Sequence, residues 1–190
     1  MRLRAIIALV VAIVLVVLGI VLFRGGGGPK QPTVKPKKLP EYSNTGASVR
    51  FTYDGIINGE SSHRAIRITV SRNQRLLEVL QGYSGNAIQS NSEANTETAY
   101  SVFLHALANA GFSKTRKTSN TSVEGACPLG NRFIYELLDT GDSATDSMTW
   151  STTCGSTGTF GGNRPNIQTL FQRQITDYDK QVAQVPINGR

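Results

Sequence analysis

Cysteine, histidine and carboxylate are the residue types in this chain that could do chemistry, and their spacing decides which chemistry is open. Cys127 and Cys154 are its two cysteines, His63 and His105 its two histidines. Structural zinc takes four ligands at short spacings such as Cys-x-x-Cys or His-x-x-x-His. Neither spacing occurs, so no metal is expected. A redox dithiol places its thiols two residues apart at a helix N-terminus, whereas these two stand a whole hairpin apart. By parity His63 falls with Arg67 and Thr69 on the polar face of a strand, and His105 falls off the apolar stripe of a helix. No carboxylate or nucleophile lies at a spacing that forces contact with either. Both are therefore read as exposed and non-catalytic, since a triad is defined by geometry rather than by sequence position. Asp54 and Glu78 remain as raw material for a carboxylate-based site.

The candidates for binding are Arg50, Asp54, His63 and Arg67 on the polar face of a sheet, with Trp150 and Arg164 beyond it. A solvated face whose charges pair across strands is the plainer reading of the first four. Trp150, the sole tryptophan, is read as packing in the core or at its rim, though tryptophan is also enriched at binding hot spots. The run "GSTGTFGGN" before a helix has small residues that let backbone amides approach an anion, with Arg164 beside it. It lacks the Gly-Lys-Ser/Thr ending of a phosphate-binding loop and the dinucleotide fingerprint, so a tight turn is the default and no cofactor is expected.

The elements that position these residues follow from hydrophobic period. "VRFTYDGII" alternates Val49, Phe51 and Tyr53 against Arg50, Thr52 and Asp54; Asn58-Gly59 marks a turn, and "RAIRITV" answers with Ile66, Ile68 and Val70. "RLLEVLQGY" completes a three-stranded meander from Val49 to Tyr83. After a Ser/Asn-rich loop, Ala99, Val102, Phe103, Ala106, Leu107 and Ala110 recur at helical spacing, with Asn95 or Thr96 as cap and Gly111 as stop. "GFSKTRKT" is a candidate edge strand. A second helix is expected from Pro165 through Ile167, Leu170, Phe171, Ile175 and Tyr178, capped at Asn163 or Arg164. The fold class is α+β, an antiparallel sheet of about five strands covered by two amphipathic helices.

The cysteines bracket the last hairpin. If Arg132 to Leu138 pairs antiparallel with Ser147 to Thr153, Cys127 and Cys154 emerge together at its open end. Closing that loop would stabilise the fold by ~3.5 kcal/mol on a chain-entropy estimate. A disulfide would require an oxidising compartment.

The N-terminus speaks to the same point. Ala5 to Phe23 is an uncharged apolar run long enough to cross a bilayer as a single N-terminal transmembrane helix. It exceeds the apolar region of a cleaved signal peptide, and no small-x-small site precedes Arg24. A count of flanking positive charge would keep the large domain in the cytoplasm. The dense upstream Arg2 and Arg4, the Gly25 to Gly28 spacer and the indifference of long domains to charge favour the opposite orientation. Residues 1–40 carry seven of the 20 Lys and Arg and no acid, so the rest of the chain, with all 13 Asp and Glu, has no net charge. A nucleic-acid binder needs a concentrated basic excess, which that remainder lacks.

The resulting organisation is a cytoplasmic tail at 1–4, a transmembrane signal anchor at 5–23, a Gly/Pro/Lys stalk at 24–46, an extracytoplasmic α+β domain at 47–178 and a flexible tail at 179–190. The expected partners are the lipid bilayer, through 5–23, and an envelope protein or wall polymer. The expected location is the cytoplasmic membrane, single-pass, with the C-terminal domain outside. The combination "CPLGNRFIYEL", "WSTTCG", "GTFGGN" and "LFQRQITDY" behind an anchor resembles small membrane-anchored envelope proteins of candidate-phylum, Saccharibacteria-like bacteria. That resemblance implies a bacterial surface location and transfers no catalytic residue. The functional expectation is an extracytoplasmic binding or interaction module. The alternatives are an envelope hydrolase with a carboxylate-based site and a structural spacer between membrane and wall.

Overall fold

Six strands form one antiparallel sheet in a computed structural model that describes residues 14–15, 37–139, 145–155 and 158–187. They are β1 (Ser48–Asp54), β2 (Arg64–Ser71), β3 (Gln74–Gln81), β4 (Asn86–Ala94), β5 (Arg132–Leu138) and β6 (Thr145–Thr152). The order is β4-β3-β2-β1-β5-β6, so β1 is central and the last hairpin returns to its free side. Helices α1 (Glu97–Ala110), α2 (Arg164–Gln172) and α3 (Tyr178–Val182) complete the domain, which lies within a compact unit beginning at Lys37. Val14 and Leu15 are helical. The rest of the anchor expected at 5–23 lies outside the described residues, as do the tail at 1–4 and residues 24–36 of the stalk. Among the described residues no helix is long and apolar enough to cross a membrane.

The period of each strand explains its two faces. Val49 and Phe51 of β1, Ile66, Ile68 and Val70 of β2, and Phe133, Tyr135 and Leu137 of β5 all join one buried cluster with Phe103, Leu104 and Leu107 of α1 and Ile167 and Phe171 of α2. The helices therefore cover one face of the sheet. Thr96 caps α1 by accepting from Ala99 N, and Gly111 ends it in the left-handed region at φ 84°. Tyr100, fully buried on α1, donates its hydroxyl to Ala47 O at 3.0 Å and ties the helix to the start of β1.

Four expectations change. β4 occupies the Ser/Asn-rich segment read as a loop; as an edge strand with mostly exposed side chains it has no apolar period to betray it. Gly82 and Gly85, at φ 72° and 77°, reverse the chain into it. The second helix stops at Gln172, and Tyr178 belongs to the separate α3. "GFSKTRKT" makes only a single bridge, Thr115 to Phe160. Residues assigned to the stalk and tail belong to the domain: Leu39 and Tyr42 are buried in a short 3-10 turn, and Val182, Val185 and Ile187 pack on the core.

Candidate functional site

The face of the sheet opposite the helices carries three pairs of opposite charge set directly across neighbouring strands. Arg50 faces Glu136 and Asp54 faces Arg132 across β1 and β5, and Arg67 faces Glu78 across β2 and β3. Cross-strand neighbours on one face stand close enough for such side chains to interact. The pairs are not equal. Arg132 Nε lies 2.6 Å from Asp54 Oδ2, and its Nη2 donates to Gly55 O at 2.7 Å. Arg50 Nη1 is 3.7 Å from Glu136 and Arg67 Nη1 is 3.8 Å from Glu78, within ion-pair range but beyond hydrogen-bonding distance.

His63 joins the first pair. It precedes β2 on the face that parity assigns, yet it is 2% exposed rather than solvated. Its Nε2 lies 2.8 Å from Asp54 Oδ1, and its Nδ1 lies 3.0 Å from Ile56 O. The expectation that His63 is exposed is thereby overturned, and a carboxylate that no spacing forces upon it is in contact. The pairing was hidden because residues 55–63 form a loop, not the tight Asn-Gly hairpin expected, and fold the ring back over the end of β1. A carbonyl can only accept, so Nδ1 carries a proton. Tyr83 stacks on the ring with centroids 4.1 Å apart, and its own hydroxyl donates to Asn58 O at 2.8 Å, closing the loop.

This arrangement limits the chemistry. A general base needs one ring nitrogen free to face a nucleophile, and both nitrogens of His63 are engaged by protein acceptors. Asp54 uses one oxygen on Arg132 and the other on His63. The trio acts as a buried brace joining β1, β5 and the loop before β2. His105 is exposed on α1. No group of three or more His, Cys, Asp or Glu placed to hold a metal occurs among the described residues.

Beside the brace lies a cleft of ≈ 250 Å³ whose lining includes Arg50, Asp54, His63, Arg67, Tyr83 and Glu136. Four of the six sequence candidates are thus brought together. The other two are not. Trp150 sits opposite Ile134 in the ladder, fully buried, with its indole donating to Thr121 O at 3.1 Å. It lies outside the main apolar cluster, so it is packed between sheet and loop rather than in the core proper. Arg164 donates to Thr152 O at 2.8 Å, with its guanidinium 4.9 Å from the Phe133 ring centroid. The adjacent helix start is capped by Asn163, which accepts from Asn166 N, so the glycine run serves packing: Gly162 lies against Gly111 and Gly158 against Trp150. Glu136, Arg132 and Tyr83 went unrecognised as site residues. Arg132 and Glu136 do alternate with the apolar Phe133, Tyr135 and Leu137, but only the β1 and β5 register shows what they face.

Burial pushes the pKa of Tyr135, whose hydroxyl lies 3.3 Å from Ser151, up to about 12 despite that hydrogen bond and the nearby Arg164 charge. Desolvation also raises Tyr53, Tyr100 and Tyr178.

Cys127 and Cys154 form a disulfide with Cα atoms 5.6 Å apart, at the open end of the β5 and β6 hairpin. No family model, no curated protein and no solved structure matches the chain.

Proposed function

We propose that this protein is a membrane-anchored binding module of the cell envelope, working outside the cytoplasmic membrane through the sheet face opposite its helices. The observation that carries the reading is the cleft on that face, where Arg50, Asp54, His63 and Arg67 converge. The disulfide supports an oxidising compartment, and the apolar run at 5–23 supports the anchor. The hydrolase reading is weaker, because Asp54 and His63 spend their polar atoms on the fold. A spacer gives no reason for charged side chains to line a concavity.

Two measurements test it. Protease added to intact, wall-stripped cells should cut the stalk, and protection until lysis would overturn the orientation. The full-length chain in detergent should co-sediment with isolated cell-wall polymer. Met148, 45% exposed beside the cleft, gives a blocking variant, Met148→Trp, that should abolish co-sedimentation. No binding by the parent chain would remove the module reading for wall polymers.

A further inference from the structure

Three arginines lie on the open sheet face, and the fold has used them differently. Arg132, 4% exposed, places Nε and Nη2 in hydrogen bonds of 2.6 and 2.7 Å. Arg50 makes one long contact, from Nε to Thr69 Oγ1 at 3.4 Å. Arg67 makes no hydrogen bond to protein among the described residues, and its Nε is buried without a partner. A guanidinium offers five N–H donors in a fixed fork, and leaving a buried donor unmade is costly. Glu136 and Glu78 hold Arg50 and Arg67 at ion-pair range without closing hydrogen bonds. Both guanidiniums line the same cleft, with donors that meet no acceptor at bonding distance among the described residues apart from that long contact of Arg50.

The rest of the lining narrows the ligand. Asp54 and Glu136 bring negative charge to the same cleft, and Glu136 brings acceptors, so a dense polyanion is disfavoured while a single oxyanion flanked by hydroxyls has partners for both. Tyr83 is 52% exposed although its ring stacks on His63, leaving aromatic surface open at the rim. An aromatic face with convergent donors and acceptors suits a saturated ring whose C–H faces are apolar and whose hydroxyl edge is polar. Resting on the reading of this face as the working surface, we propose that Arg50 and Arg67 jointly bind the carboxylate or phosphate of a sugar acid whose ring lies against Tyr83.

The test follows the arginine Nε–H signals of the ¹⁵N-labelled full-length chain in detergent by NMR. Glucuronate, glucose 6-phosphate, inorganic phosphate and glucose are titrated separately. Saturable shifts of the Arg67 and Arg50 signals with glucuronate or glucose 6-phosphate, well ahead of glucose, are expected, and the stronger arm names the oxyanion. Arg67→Lys keeps the charge and loses the fork, and should bind about ten to a hundred times more weakly, the size of a charge-assisted hydrogen bond, with the rest of the spectrum unchanged. Inorganic phosphate binding as well as the sugar phosphate would overturn recognition of the ring. No saturable shift with any probe would overturn the site. Wall polymer retained in full by Arg67→Lys would also overturn it while leaving the module reading intact; sugar acids bound without wall binding would support it and sink that reading instead.

Discussion

Arg132 stands directly across the β1 and β5 ladder from Asp54, with its Nε 2.6 Å from the carboxylate and its side chain 4% exposed. Removing one partner of a buried pair leaves the other charge uncompensated, at a cost of ~3–5 kcal/mol. Asp54 is 18% exposed, which places the expectation near the lower end. Arg132→Met should therefore lower stability by ~3 kcal/mol in urea unfolding. Asp54→Asn combined with Arg132→Met should cost less than the sum of the single changes. Strict additivity would show that the two side chains are not coupled.

The disulfide bears on the sole tryptophan. Cys154 is exposed and open to reductant, while Trp150 is held by Thr121, on the segment that leads to Cys127. Reduction, or Cys154→Ser, should lower stability by ~3.5 kcal/mol without abolishing folding. It should also shift Trp150 emission to the red as the segment loosens. A Cβ on Gly130 would lie 2.5 Å from Cys127 Sγ and 3.0 Å from Cys154 Sγ, so Gly130→Ala should impair closure of the bond even under oxidising refolding. Free thiols in the natively purified parent protein would contradict the pairing.

Alkaline pH should unfold the domain through its buried hydroxyls. Tyr135 is pushed up to about 12 by burial, and burial also raises Tyr53, Tyr100 and Tyr178. A tyrosine whose folded value exceeds its unfolded one holds its proton longer when folded, so its contribution to stability is whole below the unfolded value near 10. That contribution declines as pH rises from about 10 through the folded values. Tyrosinate absorbance at these four positions should rise together with loss of the folded circular dichroism signal. Full ionisation with the fold intact would refute the burial argument.

What sequence shows about this molecule depends on whether a residue's role is local. The strands β1, β2, β3 and β5, the caps at Thr96 and Asn163 and the pairing of Cys127 with Cys154 rest on period, short-range signals and one hairpin, and all are found. β4 was illegible because most of its side chains are exposed and the two that are partly buried, Asn91 and Glu93, are polar. The contact of His63 with Asp54 was illegible because a nine-residue loop from 55 to 63 sets it. The partners of Arg50 and Asp54 on β5 depend on a pairing that spans the whole of α1 and its following loop, which no local pattern encodes.

The C-terminal segment gives the last prediction, since composition alone reads it as fraying. Gln181 instead accepts at its backbone oxygen from Gln89 Nε2 at 3.2 Å and at its side-chain oxygen from Asn91 Nδ2 at 3.0 Å, tying α3 to β4. Beyond it, Val185 and Ile187 pack on the core, and a Cβ on Gly55 would lie 2.5 Å from Ile187 O. Partly burying two aliphatic side chains contributes ~1–3 kcal/mol. Truncation after Val182 should therefore lower the unfolding free energy by that amount, read as a lower urea midpoint at unchanged slope, whereas a frayed tail would leave the midpoint unchanged. Gly55→Ala should destabilise the full chain more than the truncated one, because shortening removes the Ile187 clash and leaves that with Arg64 O, 2.7 Å from the added carbon. Equal penalties in both backgrounds would mean that the segment does not close over Gly55.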